Sequence, residues 1–232
     1  MGWRDEGVVL VTGGASGLGA AVVAAVTKGG GRAAVIDLRP PEADVDYVMV
    51  DLADGRAAET GVDDVARLAP GGLTAVVCAA GIDACGRLSD VNPVAWERVI
   101  AVNLLGTAAV VRASLRHLPT DGSGRIVTVA STLGLRALPD ATAYCASKFG
   151  VVGFTRALAG ELAGQVGVTM LVPGGMQTSF FDGRPAQYRP PPEAHLNRPE
   201  DVAAAVIFAL DQPDGCEVRE LVVCPSTESS WP

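Results

Sequence analysis

The chain carries the stretch Thr12–Gly19, TGGASGLG, directly after the apolar run Val8–Val11, VVLV. A buried strand that runs into a glycine-rich turn and then into a helix is the first unit of a doubly wound α/β fold. The glycines permit a tight turn and let backbone N–H groups at the helix N-terminus approach a pyrophosphate. The stretch therefore predicts a dinucleotide-binding turn. Its G-x-x-x-G-x-G spacing differs from the commoner G-x-G-x-x-G, and such turns also occur as simple connections.

Apolar, β-branched segments alternate with helical segments along the whole chain. Most predicted strands are continuously apolar, as strands covered on both faces are. We predict one Rossmann-type domain over residues 1–232, with a doubly wound, seven-stranded parallel sheet and helices on both faces. The predicted strands are Val8–Thr12, Ala33–Asp37, Tyr47–Asp51, Ala75–Ala79, Arg125–Ser131, Val168–Val172 and Val218–Cys224. The predicted helices are Gly17–Lys28, Asp63–Leu68, Pro93–Leu118, Ala141–Ala163 and Pro199–Leu210, and the proline-rich segment Ser179–Asn197 is predicted to be a substrate loop.

Composition restricts the possible classes of protein. Of the 232 residues, 49% are hydrophobic and 19% charged, which is typical of a folded globular chain. The formal net charge of −8 argues against a nucleic-acid partner, because phosphates require a basic face. The longest apolar run, Val202–Leu210, is too short to span a membrane, and no signal-peptide pattern opens the chain. We therefore expect a cytoplasmic protein with five free cysteines and, since it has only two histidines and no Cys-x-x-Cys pair, no metal site.

Asp37 ends the second predicted strand, 18 residues after Gly19. A carboxylate at that place can accept hydrogen bonds from both ribose hydroxyls of an adenosine, and it repels a 2′-phosphate. Asp37 therefore favours NAD(H) and makes NADP(H) the less favoured cofactor, although Arg39 weakens that preference. The alternative is that Asp37 only ends a strand in solvent. Asp51 is open to the same two interpretations, as an adenine contact or as a strand terminus.

Tyr144 and Lys148 lie four residues apart in the segment YCASK on a predicted helix, so they share one helix face. A free tyrosine has a pKa of about 10, and a neighbouring ammonium should lower that pKa so that the phenol can exchange a proton with a carbonyl oxygen. Ser131 ends a predicted strand and is a candidate for a hydrogen bond to that oxygen. Asn103, inside a helix, is a candidate for leaving its backbone carbonyl free to hold a water. Taken alone, such a Tyr–Lys pair is more often a pair of surface neighbours.

Together these motifs resemble the short-chain dehydrogenase/reductase family, in its shorter, non-extended branch, over nearly the whole chain. The family's Asn-Ser-Tyr-Lys tetrad corresponds to Asn103, Ser131, Tyr144 and Lys148. The resemblance implies that Tyr144 is the general acid/base and that Lys148 binds the nicotinamide ribose and assists Tyr144. It further implies that Ser131 orients the substrate carbonyl and that Asn103 anchors a proton-relay water.

The resemblance also implies an activity and an assembly. The expected protein is an NAD(H)-dependent oxidoreductase that interconverts a secondary alcohol and a ketone. Its partner is a small-molecule alcohol or ketone, with no nucleic acid and no membrane. We expect a homo-oligomer, a dimer or a tetramer, formed through the helices around Asn103 and Phe149.

The predicted cofactor site combines the glycine turn, the strand ends and the Pro-Gly segment after the sixth strand. Its residues are Thr12, Gly13, Ala15, Ser16, Gly17, Leu18, Gly19, Asp37, Leu38, Asp51, Leu52, Ala79, Ala80, Gly81, Tyr144, Lys148, Pro173, Gly174, Met176 and Thr178. A largely apolar substrate pocket is expected beside it, formed by Thr132, Leu133, Leu138, Gly175, Phe180 and Phe181, with Leu135 and Met176 as further candidates. Arg136 and Arg184 are expected to be solvated, or else to meet an anionic group of the substrate.

Two departures from the family pattern leave other functions open. Cys78–Gly81, CAAG, replaces the family's N-N-A-G, and Arg219–Pro225 lacks the D-G-G ending of acyl-carrier-protein ketoreductases. One alternative is a catalytically silent regulatory protein that keeps the cofactor-binding fold. Another is a sugar-nucleotide epimerase or dehydratase of the extended branch, but the chain after the sixth strand is too short for the larger substrate domain of those enzymes.

Overall fold

A computed structural model describes residues 3–4 and 7–228. Seven parallel strands form one sheet in the order β3-β2-β1-β4-β5-β6-β7. The strands are β1 (Val8–Thr12), β2 (Arg32–Asp37), β3 (Asp46–Met49), β4 (Leu73–Cys78), β5 (Gly124–Val129), β6 (Val166–Pro173) and β7 (Glu220–Val223). The strand order reverses between β1 and β4, and in doubly wound sheets ligands bind in the crevice at that point.

Helices cover both faces of the sheet. They are α1 (Gly17–Lys28), α2 (Gly55–Leu68), α3 (Pro93–Ile100), α4 (Thr107–Ser114), α5 (Thr142–Glu161) and α6 (Pro199–Leu210), and a π-helical turn, Ala101–Gly106, joins α3 to α4. One core cluster packs α1 and α6 against the sheet, and another packs α2, α4 and α5 against the opposite face. Successive strand residues point to opposite faces, so Val8 and Leu10 of β1 join one cluster while Val9 and Val11 join the other. The predicted doubly wound parallel sheet is confirmed.

The predicted boundaries were wrong at several elements. α2 begins at Gly55 instead of Asp63, because Asp54 caps it by accepting hydrogen bonds from the backbone N–H groups of Arg56 and Ala57. The helix predicted over Pro93–Leu118 contains the π-helical turn and ends at Ser114. β3, β4, β5 and β7 all end before the predicted residue, so Asp51, Ala79, Ser131 and Cys224 lie in the loops that follow these strands.

Among the described residues, the helical segment Pro93–Ser114 is the one segment long and apolar enough to cross a membrane by length and composition. Sequence analysis overlooked it because its apolar residues are not contiguous. Val99, Val102 and Val110 are buried inside the fold, and the segment packs against α2 and α5. A core helix of a folded domain meets the same criterion, and the packing accounts for this one.

Candidate active site

A cleft of about 880 Å³ opens at the carboxyl ends of the strands. Nearly all predicted cofactor and substrate residues line it, including the glycine turn, Asp37, Asp51, Tyr144, Lys148 and Phe180. Thr12, Ala15 and Asn103 do not line it. Leu135, a candidate for the pocket, instead packs against the core beside Val151 and Val152.

The glycine turn needs its glycines for backbone packing. Gly13 has φ 72°, and a Cβ there would lie 2.8 Å from the Cα of Ala80. A Cβ on Gly19 would lie 2.1 Å from the carbonyl oxygen of Gly13. Thr12 Oγ1 accepts a hydrogen bond of 3.3 Å from the backbone N–H of Ala80, which fixes the turn against the loop after β4. This bare backbone at the start of α1 fits a phosphate group, which binds to N–H groups at a helix N-terminus.

Asp37 faces this turn from the end of β2. Its Oδ2 accepts a hydrogen bond of 3.0 Å from the backbone N–H of Ala15, and its Oδ1 accepts one of 3.1 Å from that of Arg39. The carboxylate therefore braces the glycine turn as well as lining the cleft. Sequence analysis had not predicted this bracing role.

Asp51 is also in the cleft wall but has a different environment. Its carboxylate accepts a hydrogen bond from the backbone N–H of Ala53, and it forms an ion pair of 2.9 Å with Arg98 of α3. The Ala53 hydrogen bond and then Arg98 keep the pKa of Asp51 below its usual value. Asp51 is thus part of a short polar network at the end of the cleft.

The Tyr–Lys pair lies on the cleft-facing side of α5. Lys148 Nζ lies 5.7 Å from the centroid of the Tyr144 ring and donates a hydrogen bond of 2.7 Å to the carbonyl oxygen of Val129, at the end of β5. Because Lys148 is buried, its pKa falls to about 8. The interpretation of the pair as solvated surface neighbours is therefore wrong.

Burial also decides the pKa of Tyr144, which rises to about 12. A hydrogen bond with the side chain of Ser131 opposes that rise. The prediction that Lys148 lowers the pKa of Tyr144 is wrong for this structure, since loss of hydration outweighs every favourable neighbour. The structure does bring Ser131, Tyr144 and Lys148 together as predicted.

Asn103 lies in the π-helical turn and is almost fully buried. Its Oδ1 accepts from the backbone N–H of Ile82 at 2.8 Å, and its Nδ2 donates to Ile82 O at 2.9 Å and to Ser147 Oγ at 3.0 Å. The Ser147 hydroxyl in turn donates to the carbonyl oxygen of Tyr144 at 2.8 Å. The side chain of Asn103 thus ties the loop after β4 to α5, and with Thr12 it braces the loop that lacks the family's two asparagines.

The backbone carbonyl of Asn103 was predicted to be free to hold a water, and this prediction is wrong. It accepts a hydrogen bond of 2.8 Å from the hydroxyl of Thr107. Threonine hydroxyls commonly bond the carbonyl four residues earlier in a helix, so the spacing of Thr107 was a signal in the sequence.

The substrate loop contains two short 3₁₀ turns, Ser179–Phe181 and Ala186–Tyr188. The ring of Phe180 packs against that of Tyr144, with centroids 5.6 Å apart. Arg184 is not solvated: it forms an ion pair of 2.6 Å with Asp83, and both side chains are largely buried. Sequence analysis missed Asp83, because the two residues are 101 positions apart and neither lies in a motif.

Glu228 is a second residue that sequence analysis missed. Its Oε2 accepts a hydrogen bond of 3.1 Å from the backbone N–H of Gly175, so the C-terminal segment reaches the cleft. A Cβ on Gly174 would lie 2.4 Å from the same oxygen. The Gly174–Gly175 pair therefore makes room for this carboxylate.

A glycine turn at the switch point of a doubly wound sheet, with a Tyr–Lys pair in the same cleft, defines a Rossmann-type dinucleotide-binding protein. Residues 7–189 match the family described as short chain dehydrogenase. The chain belongs to this family, and it is an oxidoreductase with a fold that binds a nicotinamide cofactor.

Several characterised proteins and solved structures are similar to the chain. A 2-(S)-hydroxypropyl-CoM dehydrogenase from Xanthobacter autotrophicus is 33% identical over 88% of this chain and 89% of its own length. An NAD(+)-dependent 2-dehydro-3-deoxy-L-rhamnonate dehydrogenase from a Sphingomonas species is 36% identical over 88% of this chain and 87% of its own. A short chain dehydrogenase from Burkholderia cenocepacia, solved in complex with NADP, has a TM-score of 0.83 at 28% identity, and the match covers 96% of this chain and 98% of that one.

Proposed function

We propose that the protein interconverts a secondary alcohol and a ketone with NAD(H), and that Tyr144 is the general acid/base. The observation that carries this proposal is the meeting of Ser131, Tyr144 and Lys148 in one cleft with the glycine turn. The names of similar proteins support it, since they include dehydrogenases of a hydroxypropyl compound, of D-threitol and of a hydroxycyclohexanecarboxylate. Because the three catalytic candidates are all present and adjoining, we prefer an active enzyme to a silent regulatory protein.

The residues of the cleft provide a binding group for each part of the cofactor. The Thr12–Gly19 turn would hold the pyrophosphate, Asp37 the adenosine ribose, Lys148 the nicotinamide ribose and the Gly174–Thr178 segment the nicotinamide. Bound there, the nicotinamide supplies or accepts the hydride.

The chain's own residues supply the proton. In ketone reduction the Tyr144 phenol donates its proton to the carbonyl oxygen, and Ser131 holds that oxygen by a hydrogen bond. In alcohol oxidation the phenolate takes the proton back. The Nζ of the buried Lys148 lies 5.7 Å from the centroid of the Tyr144 ring, so its positive charge offsets part of the cost that burial adds to forming the phenolate.

The preference for NAD(H) rests on Asp37 and on what surrounds it. A 2′-phosphate at this end of the cleft would meet the carboxylate of Asp37. Arg98 forms an ion pair with Asp51, so the positive charge of Arg98 is already neutralised and does not attract a 2′-phosphate. Arg39 lines the cleft and is the cation that opposes the preference.

The pH dependence of turnover tests the role of Tyr144. Below its pKa of about 12 the phenol is protonated, which suits it to donate in ketone reduction. Oxidation needs the phenolate. At any pH below that pKa, the phenolate fraction grows about tenfold for each unit by which the pH rises. We therefore expect kcat/KM for alcohol oxidation to rise from pH 6 to pH 9, and to rise less steeply above the pKa of Lys148, about 8, where the lysine loses its positive charge. A profile for oxidation that is flat over this range would contradict a buried tyrosine base.

We also propose that the protein forms at least a dimer through the helices around the π-helical turn. The support is apolar side chains left exposed there: Leu105 is 57% exposed and Phe149 is 45% exposed. A second copy packed against these helices would bury both side chains. Light scattering should give a mass of two or four chains, and a monomeric mass would contradict the proposal.

The proposed location is the cytoplasm. All five cysteines are free thiols, which suits a reducing compartment. Fractionation of producing cells should recover the protein with the soluble cytoplasmic fraction, and recovery in the membrane or outside the cell would contradict this.

A further inference from the structure

A buried ion pair joins the substrate loop to the loop after β4. Arg184 Nη2 lies 2.6 Å from Asp83 Oδ2, and the side chains of Arg184 and Asp83 are 17% and 4% exposed. The thiol of Cys85 donates to the same Asp83 oxygen at 2.9 Å. A carboxylate this buried is stable only with a close cation and further hydrogen bonds, so the position of Arg184 is tightly set.

The guanidinium of Arg184 also covers two aromatic rings of the loop. Its Cζ lies 4.9 Å from the ring centroid of Phe180 and 4.6 Å from that of Phe181. The two rings meet edge to face, with centroids 5.4 Å apart. Because Phe180 packs on Tyr144, a continuous set of contacts runs from Asp83 through Arg184 and Phe180 to the phenol.

A second contact fastens the same loop to the chain just before α5. The hydroxyl of Tyr188 donates to Asp140 Oδ2 at 3.3 Å. Asp140 has φ 60°, a backbone conformation that is strained for a non-glycine residue, and its carbonyl oxygen accepts from the N–H of Gly86 at 2.8 Å. Within the loop, Arg189 donates to the carbonyl oxygens of Arg184 and Asp182 at 2.7 and 2.8 Å. These hydrogen bonds therefore hold the loop in place next to the start of α5.

We propose that Asp83 and Arg184 are positioning residues: their buried ion pair holds Phe180 against Tyr144 and fixes the substrate loop over the cleft. The kinetic part of this inference rests on the proposed function, whereas the structural part does not. Since Asp83 already neutralises Arg184, the pair does not itself select an anionic substrate. Its effect is on the geometry of the cleft and on the field at the phenol.

The test uses three variants: Arg184→Met, Asp83→Asn and the double variant that carries both substitutions. The control is Arg198→Met, which removes the exposed Arg198–Asp201 pair at the end of the same loop. We expect each single substitution to lower kcat/KM by about 10- to 100-fold, as a small misplacement of catalytic groups does. Hydrogen exchange of residues 179–197 should become faster in both. The double variant should lose less than the two single losses combined, because it leaves no uncompensated buried charge. Arg198→Met should match the wild type.

The pH profile separates positioning from simple loss of packing. The charged and titratable groups that face Tyr144 are Asp83, Arg184, Lys148 and Cys145. Asp83 raises the pKa of Tyr144 and Arg184 lowers it. Alcohol oxidation should therefore shift to lower pH in Asp83→Asn and to higher pH in Arg184→Met, whereas a loss of packing alone would let water reach Tyr144 and shift both variants to lower pH.

Two results would overturn the inference. The first is that Arg184→Met has the same hydrogen exchange in the loop and the same kcat/KM as the Arg198→Met control. If Tyr144→Phe is inactive at the same time, the inference is wrong but the proposed function stands. If Tyr144→Phe is fully active, the proposed function falls, and loop exchange alone decides the structural part. Should Arg184→Met fail to fold, Asp83→Asn keeps the size of the side chain but removes its charge, and wild-type loop exchange and kcat/KM in that variant would be the second overturning result.

Discussion

Replacing Tyr144 by phenylalanine is expected to lower turnover in both directions by about 10²- to 10⁴-fold, the usual contribution of a general acid or base. The ring that packs on Phe180 is retained, so the substitution removes the proton donor and its hydrogen bond with Ser131 but keeps the packing. No other residue of the cluster takes its place, because Ser131 is a far weaker acid and Lys148 donates to the Val129 carbonyl.

The measurement is kcat/KM for ketone reduction, with cofactor binding followed by nicotinamide fluorescence. NADH affinity should stay close to that of the wild type, which separates lost chemistry from lost binding. Tyr47→Phe is the matched control, since Tyr47 lies exposed on the edge strand β3 away from the cleft. Substantial turnover by Tyr144→Phe would contradict the assignment of this residue.

Replacing Asp37 by asparagine is expected to change the ratio of NADH to NADPH affinity by about 10- to 100-fold in favour of NADPH, the size of one like-charge contact removed. Asparagine keeps a side-chain oxygen that can accept from Ala15, so the glycine turn should retain its brace. With the carboxylate gone, Arg39 becomes the dominant charge at this end of the cleft.

Titration of both cofactors into Asp37→Asn, the wild type and Asp46→Asn measures this effect. Asp46 begins the neighbouring strand β3 and is exposed, so its substitution removes the same charge nearby without touching the turn. An unchanged affinity ratio in Asp37→Asn would show that Asp37 only braces the backbone.

Local sequence was sufficient for the features that depend on neighbouring residues. The glycine turn follows directly from Thr12–Gly19 and the preceding apolar strand, and Tyr144 and Lys148 are positioned by helical spacing alone. The start of α2 was also encoded locally, by the capping residue Asp54, but the first buried positions of the helix are the small residues Ala58 and Gly61, which concealed it.

Features that depend on distant contacts were out of reach of sequence analysis. Nothing near Asp83 or Arg184 indicates a pair separated by 101 residues, and nothing near Gly175 points to Glu228, 53 residues later. The pKa of Tyr144 was predicted with the wrong sign because it is set by burial, which is known only once the loop and the sheet are assembled around it.

The proposed function is tested first by a side-by-side titration of the purified protein with NADH and NADPH, followed by nicotinamide fluorescence. We predict that both cofactors bind, with a clear preference for NADH because the carboxylate of Asp37 faces the glycine turn. Tighter binding of NADPH would contradict the role of Asp37 and make Arg39 the deciding residue. Binding of neither cofactor would contradict the proposed oxidoreductase activity itself.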